Sequence, residues 1–363
     1  MFSRRIFIHK LILLTVLLLA LSSGHAADNS VNALIEQGHF KQARTLLEKR
    51  LSANANDGEA MFLLARVKLE FQDADGAIKL AEKAVELLPK DAQVHAALAD
   101  CYGQKAEGDV GMFEGMKWAR AFKREAEAAL AIDPNNLDAL HSMVEFHLDA
   151  PGIVGGSKSK ASEIAQKIGT IHATKGAIAE AEIAWHEKKL DQALAAFQKA
   201  ADGDPKSYEA QFRLGNTYMQ EKWRDTAKAE QYARKAIAID PQRGAAYGLL
   251  MQAKVWAGSI NELDALLTQA EKAVPDDFVY YFRAARSLLV TNKDPARAEK
   301  YLRKFLTQEP EGNTTTLAVG HWQLGLALEK LGRKQDAAAE VQTALNLQPD
   351  LKPAKSDLKR LKS

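Results

Sequence analysis

Residues 322–349, WQLGLALEKLGRKQDAAAEVQTALNLQP, decide the fold of this chain. In two successive segments the apolar residues recur every three or four positions, which is the periodicity of amphipathic helices. A small residue on one helix makes room for a large residue on its partner, and a proline cannot continue a helix. We therefore expect a close-packed pair of helices that ends before Pro349. The positions that define the pair are Leu324, Gly325 and Leu328 on the first helix and Ala337, Val341 and Ala344 on the second.

The same pattern recurs along the chain. Prolines mark its period, because successive prolines lie 45, 71, 36, 34, 35 and 39 residues apart, with one unit lacking its proline in the longest gap. These residues are Pro89, Pro134, Pro205, Pro241, Pro275, Pro310 and Pro349. The matching helix positions are Leu214, Gly215, Tyr218, Ala229, Ala233 and Ala236 in one unit, Ala193, Phe197 and Ala200 in the unit before it, and Ala77, Ala81 and Ala84 near the start.

A period near 34 residues with these small and large positions resembles the tetratricopeptide repeat (TPR). The resemblance implies an all-α, right-handed superhelical solenoid of about nine helix-turn-helix repeats over residues 27–350. Residues 351–363 are expected to form a C-terminal capping helix, because the exposed end of a solenoid needs a polar outer face. Its expected apolar stripe is Leu351, Ala354, Leu358 and Leu361.

The first 26 residues have the three parts of a secretory signal peptide. A basic segment, MFSRRIFIHK, precedes an eleven-residue run that is apolar apart from Thr15, and small residues follow up to an expected cleavage after Ala26. The run is too short to span a bilayer as a helix, so cleavage is favoured over an uncleaved anchor, and no stable membrane span is expected afterwards. Its strong hydrophobicity favours Sec export, with the twin-arginine route, suggested by Arg4 and Arg5, as the alternative. The sequence thus predicts a periplasmic or secreted protein.

Charge and motifs exclude several classes of function. Removing the signal peptide leaves 46 Lys and Arg against 47 Asp and Glu, a balance that disfavours a general nucleic-acid binder. The single cysteine, Cys101, excludes an intramolecular disulfide and a thiolate-rich metal site. His141 and His147 are six positions apart on one helix and so do not face the same metal. No motif places a nucleophile beside a base, so the sequence predicts no enzyme, no metal and no cofactor.

Two insertions, near residues 103–118 and 151–160, interrupt the period. Neighbouring repeats are adjacent in space, so both insertions are expected to emerge on one edge and to touch. The combination of KWARAF with APGIVGGS resembles a subgroup of exported bacterial TPR proteins. The Gly-rich segment before a helix is also a candidate anion or ligand site, against the alternative of a structural clasp. Its residues are Gly155, Gly156, Ser157, Lys158 and Lys160.

The TPR resemblance implies that first helices line a concave groove. Carried onto this chain, the inward positions are Ile178, Trp185, Phe212, Asn216, Met219, Gln252, Trp256, Phe282, Arg286 and Trp322. Aromatic anchors with interspersed amides are typical of surfaces that bind a peptide or helix. We therefore expect a non-catalytic, exported scaffold with a protein or peptide partner. The alternative is an anion- or ligand-binding envelope protein that uses residues 151–160. The oligomeric state stays open.

Overall fold

A computed structural model of the chain describes residues 31–108, 110–312 and 315–362. The predicted signal peptide, 1–26, lies outside these residues, as does Ser363 at the end of the predicted capping helix. Over the described residues the chain is helical and lacks strands, and its helices pair into nine successive hairpins followed by one further helix. The predicted all-α repeat solenoid is thereby confirmed.

The first helices of the hairpins are α1 (31–37), α3 (Gly58–Glu70), α5 (Ala92–Glu107), α7 (Leu137–Asp149), α9 (Ala173–His186), α11 (Tyr208–Tyr218), α13 (Gly244–Ala257), α15 (Val279–Val290) and α17 (Leu317–Lys330). The second helices are α2 (Phe40–Ala53), α4 (Ala74–Leu87), α6 (Met112–Ile132), α8 (Lys158–Ile171), α10 (Leu190–Gly203), α12 (Thr226–Ile239), α14 (Leu263–Ala273), α16 (Pro295–Phe305) and α18 (Lys334–Leu347). The last helix is α19 (Lys352–Lys362), and short 3-10 turns occupy Gly152–Val154 and Ile260–Glu262.

Local capping explains where the helices start. Asp57, Asp73 and Ser207 each accept a hydrogen bond from a backbone N–H in the first turn that follows them, which is the usual role of these residue types. Each repeat proline falls in a connection between one hairpin and the next, as the sequence predicts. The unit without a proline differs, because a single residue, His172, joins α8 to α9. It is both the C-cap of α8 and the N-cap of α9.

Close helix approach holds each hairpin together, as the small positions predict. A Cβ atom on Gly325 would lie 2.5 Å from Cγ2 of Val341 and 3.0 Å from the Ala337 carbonyl oxygen. One on Gly215 would lie 2.8 Å from Cδ2 of Leu249, in the next repeat. The core is accordingly a chain of local clusters, each shared by two to four neighbouring units, as in other repeat proteins.

Helix α19 covers the last hairpin. Ala354 and Leu361 are buried, and Leu351 and Leu358 pack against the same cluster. The indole N–H of Trp322, on α17, donates to Asp357 at 2.8 Å. The predicted capping stripe therefore faces the core.

The two insertions are accommodated differently. The first adds helical turns, because α5 continues to Glu107 and α6 begins at Met112 and runs for 21 residues. The second is the loop between α7 and α8, which contains the 3-10 turn Gly152–Val154. The 3-10 turn of the second insertion contacts α6, and a Cβ on Gly155 would lie 3.3 Å from Nζ of Lys123 on that helix.

The first hairpin also contacts the loops that follow repeats six, seven and eight. His39 Nδ1 lies 2.8 Å from Asp276, and Gln42 donates to the same carboxylate at 2.6 Å. The Lys41 backbone N–H donates to Glu311 at 2.9 Å, and its ammonium donates to the Asp276 carbonyl at 2.7 Å. We name residues 37–44 with 276–277 and 308–312 the closing contact. It brings the beginning of the solenoid against its seventh and eighth repeats, so the superhelix completes a turn.

Candidate binding site

Three adjoining clefts open along the inner surface of the solenoid. The polar cleft, of about 490 Å³, lies over α3 to α11 and includes Asp100 and His141. The aromatic cleft, of about 850 Å³, lies between Trp185 and Phe212 on one side and residues 35–40 of the first hairpin on the other. The insertion cavity, of about 540 Å³, lies between α5, the start of α6 and the loop after α7. Glu145 lines all three, so they form one continuous surface.

The repeat register places these side chains. Each first helix presents two inward positions four residues apart, and such positions lie one above the other on a helix. From α3 to α11 the pairs are Phe62 and Arg66, Ala96 and Asp100, His141 and Glu145, Ile178 and Glu182, and Phe212 and Asn216. The second member is thus acidic in the three central repeats.

A partly buried carboxylate, Asp100, lies on the lining of the polar cleft. Ser142 Oγ donates to Asp100 Oδ1 at 2.7 Å. Burial raises the pKa of Asp100 to about 6, in spite of that hydrogen bond. Removing a carboxylate from water disfavours its charged form, so the cleft holds negative charge at a free-energy cost.

A charged network crosses from α7 to α11. His141 Nε2 lies 3.6 Å from carboxylate oxygens of both Glu145 and Glu182. Arg213 completes the network at 3.2 Å from Glu182 and 2.7 Å from Glu209. The Glu145 carboxylate raises the pKa of His141, whereas burial raises the pKa of Glu182. Arg213 and a protonated His141 therefore offset part of the acidic charge.

Three residues that line the aromatic cleft, Trp185, Tyr208 and Phe212, take part in ring pairs, and Trp223, the partner of Trp185, lies outside the cleft lining. Trp185 lies 6.4 Å from Trp223, and Tyr208 stacks on Phe212 with centroids 5.7 Å apart. Trp185 and Phe212 are partly exposed to the cleft, with the Asn216 amide beside them. Partly exposed rings next to an amide can bury an apolar side chain while a hydrogen bond orients it.

The structure divides the ten predicted groove residues. Four line a cleft: Ile178, Trp185, Phe212 and Asn216. Met219 and Phe282 instead belong to the hydrophobic core. Trp322 is covered by α19, and Trp256 lies under the Arg224 guanidinium, 3.9 Å from the ring centroid. Gln252 is partly exposed and Arg286 exposed, and neither lines the three clefts.

The Gly-rich loop is a tightly bonded turn. The N–H groups of Gly155, Gly156 and Ser157 donate to the carbonyls of Gly152, Pro151 and His147, respectively. Ser157 Oγ caps α8, and His147 Nδ1 contacts the Gly155 carbonyl at 3.0 Å. Lys158 and Lys160 are exposed. An anion would have to displace bonds that already hold the loop, which favours the clasp interpretation.

The described part of the chain gives no support for a metal site, a reactive thiol or a membrane-spanning helix. Among residues 31–108, 110–312 and 315–362, no group of three or more His, Cys, Asp or Glu side chains is arranged to hold a metal ion. Cys101 is fully buried, and burial raises the pKa of its thiol. None of the described helices combines the length and apolar character that crossing a bilayer requires.

The sequence analysis missed the residues of the polar cleft. Arg66, Asp100 and Glu145 occupy the inward position that Glu182 and Asn216 occupy in later repeats. The signal for them was the repeat register itself, which also holds in the helices before residue 178. Extending it through α7, α5 and α3 would have found them, since the insertions lie outside the inward positions of these helices.

Helical hairpins that stack in sequence and share their cores with their neighbours define the class of α-helical repeat proteins. Models of the tetratricopeptide repeat match residues 34–101, 178–243 and 319–351. The chain is a tetratricopeptide-repeat protein. No curated protein sequence matches it.

Solved structures with a similar fold include other TPR proteins. A thermophilic TPR protein of Thermus thermophilus shares 20% identity at a TM-score of 0.48, over 54% of this chain and 99% of that one. A TPR protein of Parabacteroides merdae shares 17% sequence identity at a TM-score of 0.46, over 73% of this chain and 99% of that one. Yeast Tom70 shares 13% sequence identity at a TM-score of 0.48, over 94% of this chain and 88% of that one.

Proposed function

We propose that this protein is a non-catalytic, exported TPR scaffold that holds a segment of a partner protein against its inner surface. The observation that carries the proposal is the continuity of the three clefts through Glu145. One extended segment can contact all of them, and the rings of Trp185 and Phe212 supply anchors of the kind that dominate binding energy. Membership of the TPR family supports a role in protein interaction.

Export is part of the proposal and rests on the tripartite pattern of residues 1–26. Expression with the native N-terminus should deliver the protein to the periplasm or the medium with Ala27 as its first residue. Intact mass and N-terminal sequencing measure this directly. A cytoplasmic product that retains residues 1–26 would contradict it.

Photo-crosslinking tests the inner surface. A benzophenone amino acid replaces Phe212 or Trp185 in the cleft and, as a control, Leu347, which is exposed on α18. We expect the same partner to be crosslinked from both cleft positions in an envelope fraction and not from Leu347. Equal crosslinking from all three positions, or from Leu347 alone, would contradict binding in the groove.

An affinity measurement on the partner so identified completes the test. Replacing Trp185 and Phe212 by alanine should weaken its binding by about tenfold or more, because each ring is expected to contribute at least about 1 kcal/mol. An unchanged dissociation constant would place the interaction elsewhere on the protein.

A further inference from the structure

The insertion cavity differs from the other two clefts in its charge. Five carboxylates line it, from Glu70, Asp100, Glu107, Glu145 and Asp149, and its described lining includes no lysine, arginine or histidine. The polar cleft, in contrast, contains Arg66, Lys175 and Arg213 among its lining residues. A chain with nearly balanced total charge therefore places five acidic and no basic side chains on the described lining of one cavity.

Two of these carboxylates are left without partners. Asp149 contacts His186 at 3.1 Å and Glu145 lies near His141, but Glu70 and Glu107 form no hydrogen bond or ion pair with any described residue. Burial raises the pKa of Glu70, and burial together with Asp149 and Glu145 raises that of Glu107. A cation in the cavity would offset the cost of desolvation at both groups and the repulsion of Glu107 by Asp149 and Glu145.

Apolar side chains form the other wall and the rim. Phe122 and Phe146 stack inside the cavity with centroids 5.2 Å apart, and Met116 lies beside them. The most exposed large apolar residues among those described lie next to the cavity lining in the chain, and we call them the rim. Met112 lines the cavity and is 73% exposed, whereas Phe113 and Ile153, which adjoin the lining residues Met112 and Val154 in sequence, are each 80% exposed. They come from both insertions, the parts of the chain that depart from the repeat. Apolar side chains grouped on a surface commonly mark an interaction site.

We propose that the insertion cavity receives a basic side chain of the partner segment, with the apolar residues flanking that side chain packed on the rim. This rests on the proposed function and specifies the chemistry of the partner: a segment in which lysine or arginine stands between aliphatic or aromatic residues. The cavity opens into the inner surface through Glu145, so such a segment can continue along the groove. Its carboxylates supply the charge, and Met112, Phe113 and Ile153 supply the apolar contact.

Two synthetic peptides test the charge requirement. Acetyl-Leu-Arg-Phe-Lys-Leu-amide and its counterpart with Glu in place of Arg and Lys are titrated into the purified protein by calorimetry. We expect the basic peptide alone to bind, with an affinity that falls as salt is raised, because salt screens charge pairs that are open to solvent. Equal binding of the acidic peptide would overturn the proposal. So would binding of spermidine as tight as that of the basic peptide, since it would indicate a site for small cations.

A matched pair of double variants tests the location. Glu70→Gln/Glu107→Gln should lower the affinity for the basic peptide about tenfold or more, because charge-assisted hydrogen bonds between the peptide and the carboxylates are lost. Glu86→Gln/Glu163→Gln, exposed on α4 and α8, removes equal charge outside the cavity and should leave the affinity unchanged. Burial disfavours the charge of Glu70, and burial with Asp149 and Glu145 disfavours that of Glu107, so uncharged glutamines should keep or raise Tm and a binding loss is separable from unfolding. Equal effects of the two variants would overturn the proposal.

The rim provides a second readout. Phe113→Ser/Ile153→Ser should also weaken the basic peptide, whereas an unchanged affinity would contradict the docking of its apolar residues. The two proposals can fail separately. A partner that crosslinks at Phe212 while the basic peptide does not bind would refute only the chemistry assigned to the insertion cavity. If Phe212 also yields no specific crosslink, both proposals are refuted.

Discussion

At the scale of the residue, small side chains set how closely the helices approach. Gly325 faces Val341 and the Ala337 backbone within its own hairpin, and Gly176 faces the Gly169 backbone, where an added Cβ would lie 2.3 Å from Cα. Flexible side chains can move away from an added methyl group, but a helix backbone moves only if the whole hairpin shifts. Positions that face backbone are therefore the least tolerant.

Gly325→Ala should destabilise the protein by about 1–3 kcal/mol, because the new methyl group overpacks the contact between α17 and α18. Gly203→Ala is the matched control: Gly203 also lies in a helix, has open space around its Cβ position, and should gain up to about 1 kcal/mol from helix propensity. Denaturant unfolding of both variants measures the difference. A Gly325→Ala variant with an unchanged free energy of unfolding would contradict the close approach of these helices.

At the scale of the element, each helix depends on its neighbours for burial. The core is a row of local clusters, and α19 closes the row by adding Ala354 and Leu361 to the cluster that contains Leu324 and Leu328. A solenoid without such a cap exposes the apolar face of its last repeat to water. Stability at this end is therefore a property of α19 and α17–α18 together.

Ending the chain at Asp350 should destabilise the last repeat by at least about 3 kcal/mol, since Leu361, Leu358 and Leu351 would lose their packing. Trp322 would lose its hydrogen bond to Asp357 and become exposed, so its fluorescence should shift to the red, measured against a Trp322→Phe protein. Lys355→Gln/Lys359→Gln, on the exposed face of α19, should leave stability and emission unchanged. A truncated protein as stable as the full chain would show that α19 is not a cap.

At the scale of the whole molecule, the closing contact converts a linear stack into a closed turn. It joins residues more than 230 positions apart, as in the pair of His39 with Asp276. Residues 35–38 and Phe40 thereby form the wall of the aromatic cleft that faces Trp185 and Phe212. Access for a partner then depends on the stability of this contact.

The closing contact is expected to weaken as pH rises. Burial raises the pKa of Glu311 to about 7 and that of Asp277 to about 6, so their charged forms oppose closure above those values. The hydrogen bond to Asp276 raises the pKa of His39, and the stability from that pair is lost as pH rises through the raised pKa. Although burial opposes it, His39 lowers the pKa of Asp276, whose contribution is lost only in stronger acid. Arg44 stays charged throughout this range, because its hydrogen bond to Glu309 raises the pKa of the guanidinium further.

Fluorescence energy transfer measures closure. Labels on Lys49→Cys and Lys272→Cys report the distance between α2 and α14, and the buried Cys101 should not compete for them. We expect higher transfer at pH ~5.5 than at pH ~8. His39→Ala should lower transfer at pH ~5.5, with a loss of about 1–3 kcal/mol of closing free energy, because a partly buried carboxylate loses its partner. If energy transfer changed neither with pH nor on the His39→Ala substitution, a pH-dependent closing contact would be contradicted.

The sequence by itself determined those structural features that depend on residues close together in the chain. Helix periods, prolines and small positions predicted the hairpins, their ends, the close contact at Gly325 and the stripe of α19, because these features depend on residues at most about one repeat apart. It also showed where two insertions interrupt the period. It did not determine that the first insertion lengthens two helices instead of forming a loop.

Only the tertiary structure decided which inward positions are open to solvent. Met219, Phe282, Trp185 and Phe212 look alike in the repeat register, yet the first two are buried and the last two line a cleft. The structure likewise brought Glu70, Glu107 and Asp149 into one cavity and His39 against Asp276. The physical reason is that small rotations between repeats add up over the stack, so contacts between distant repeats depend on their sum, which no local pattern encodes.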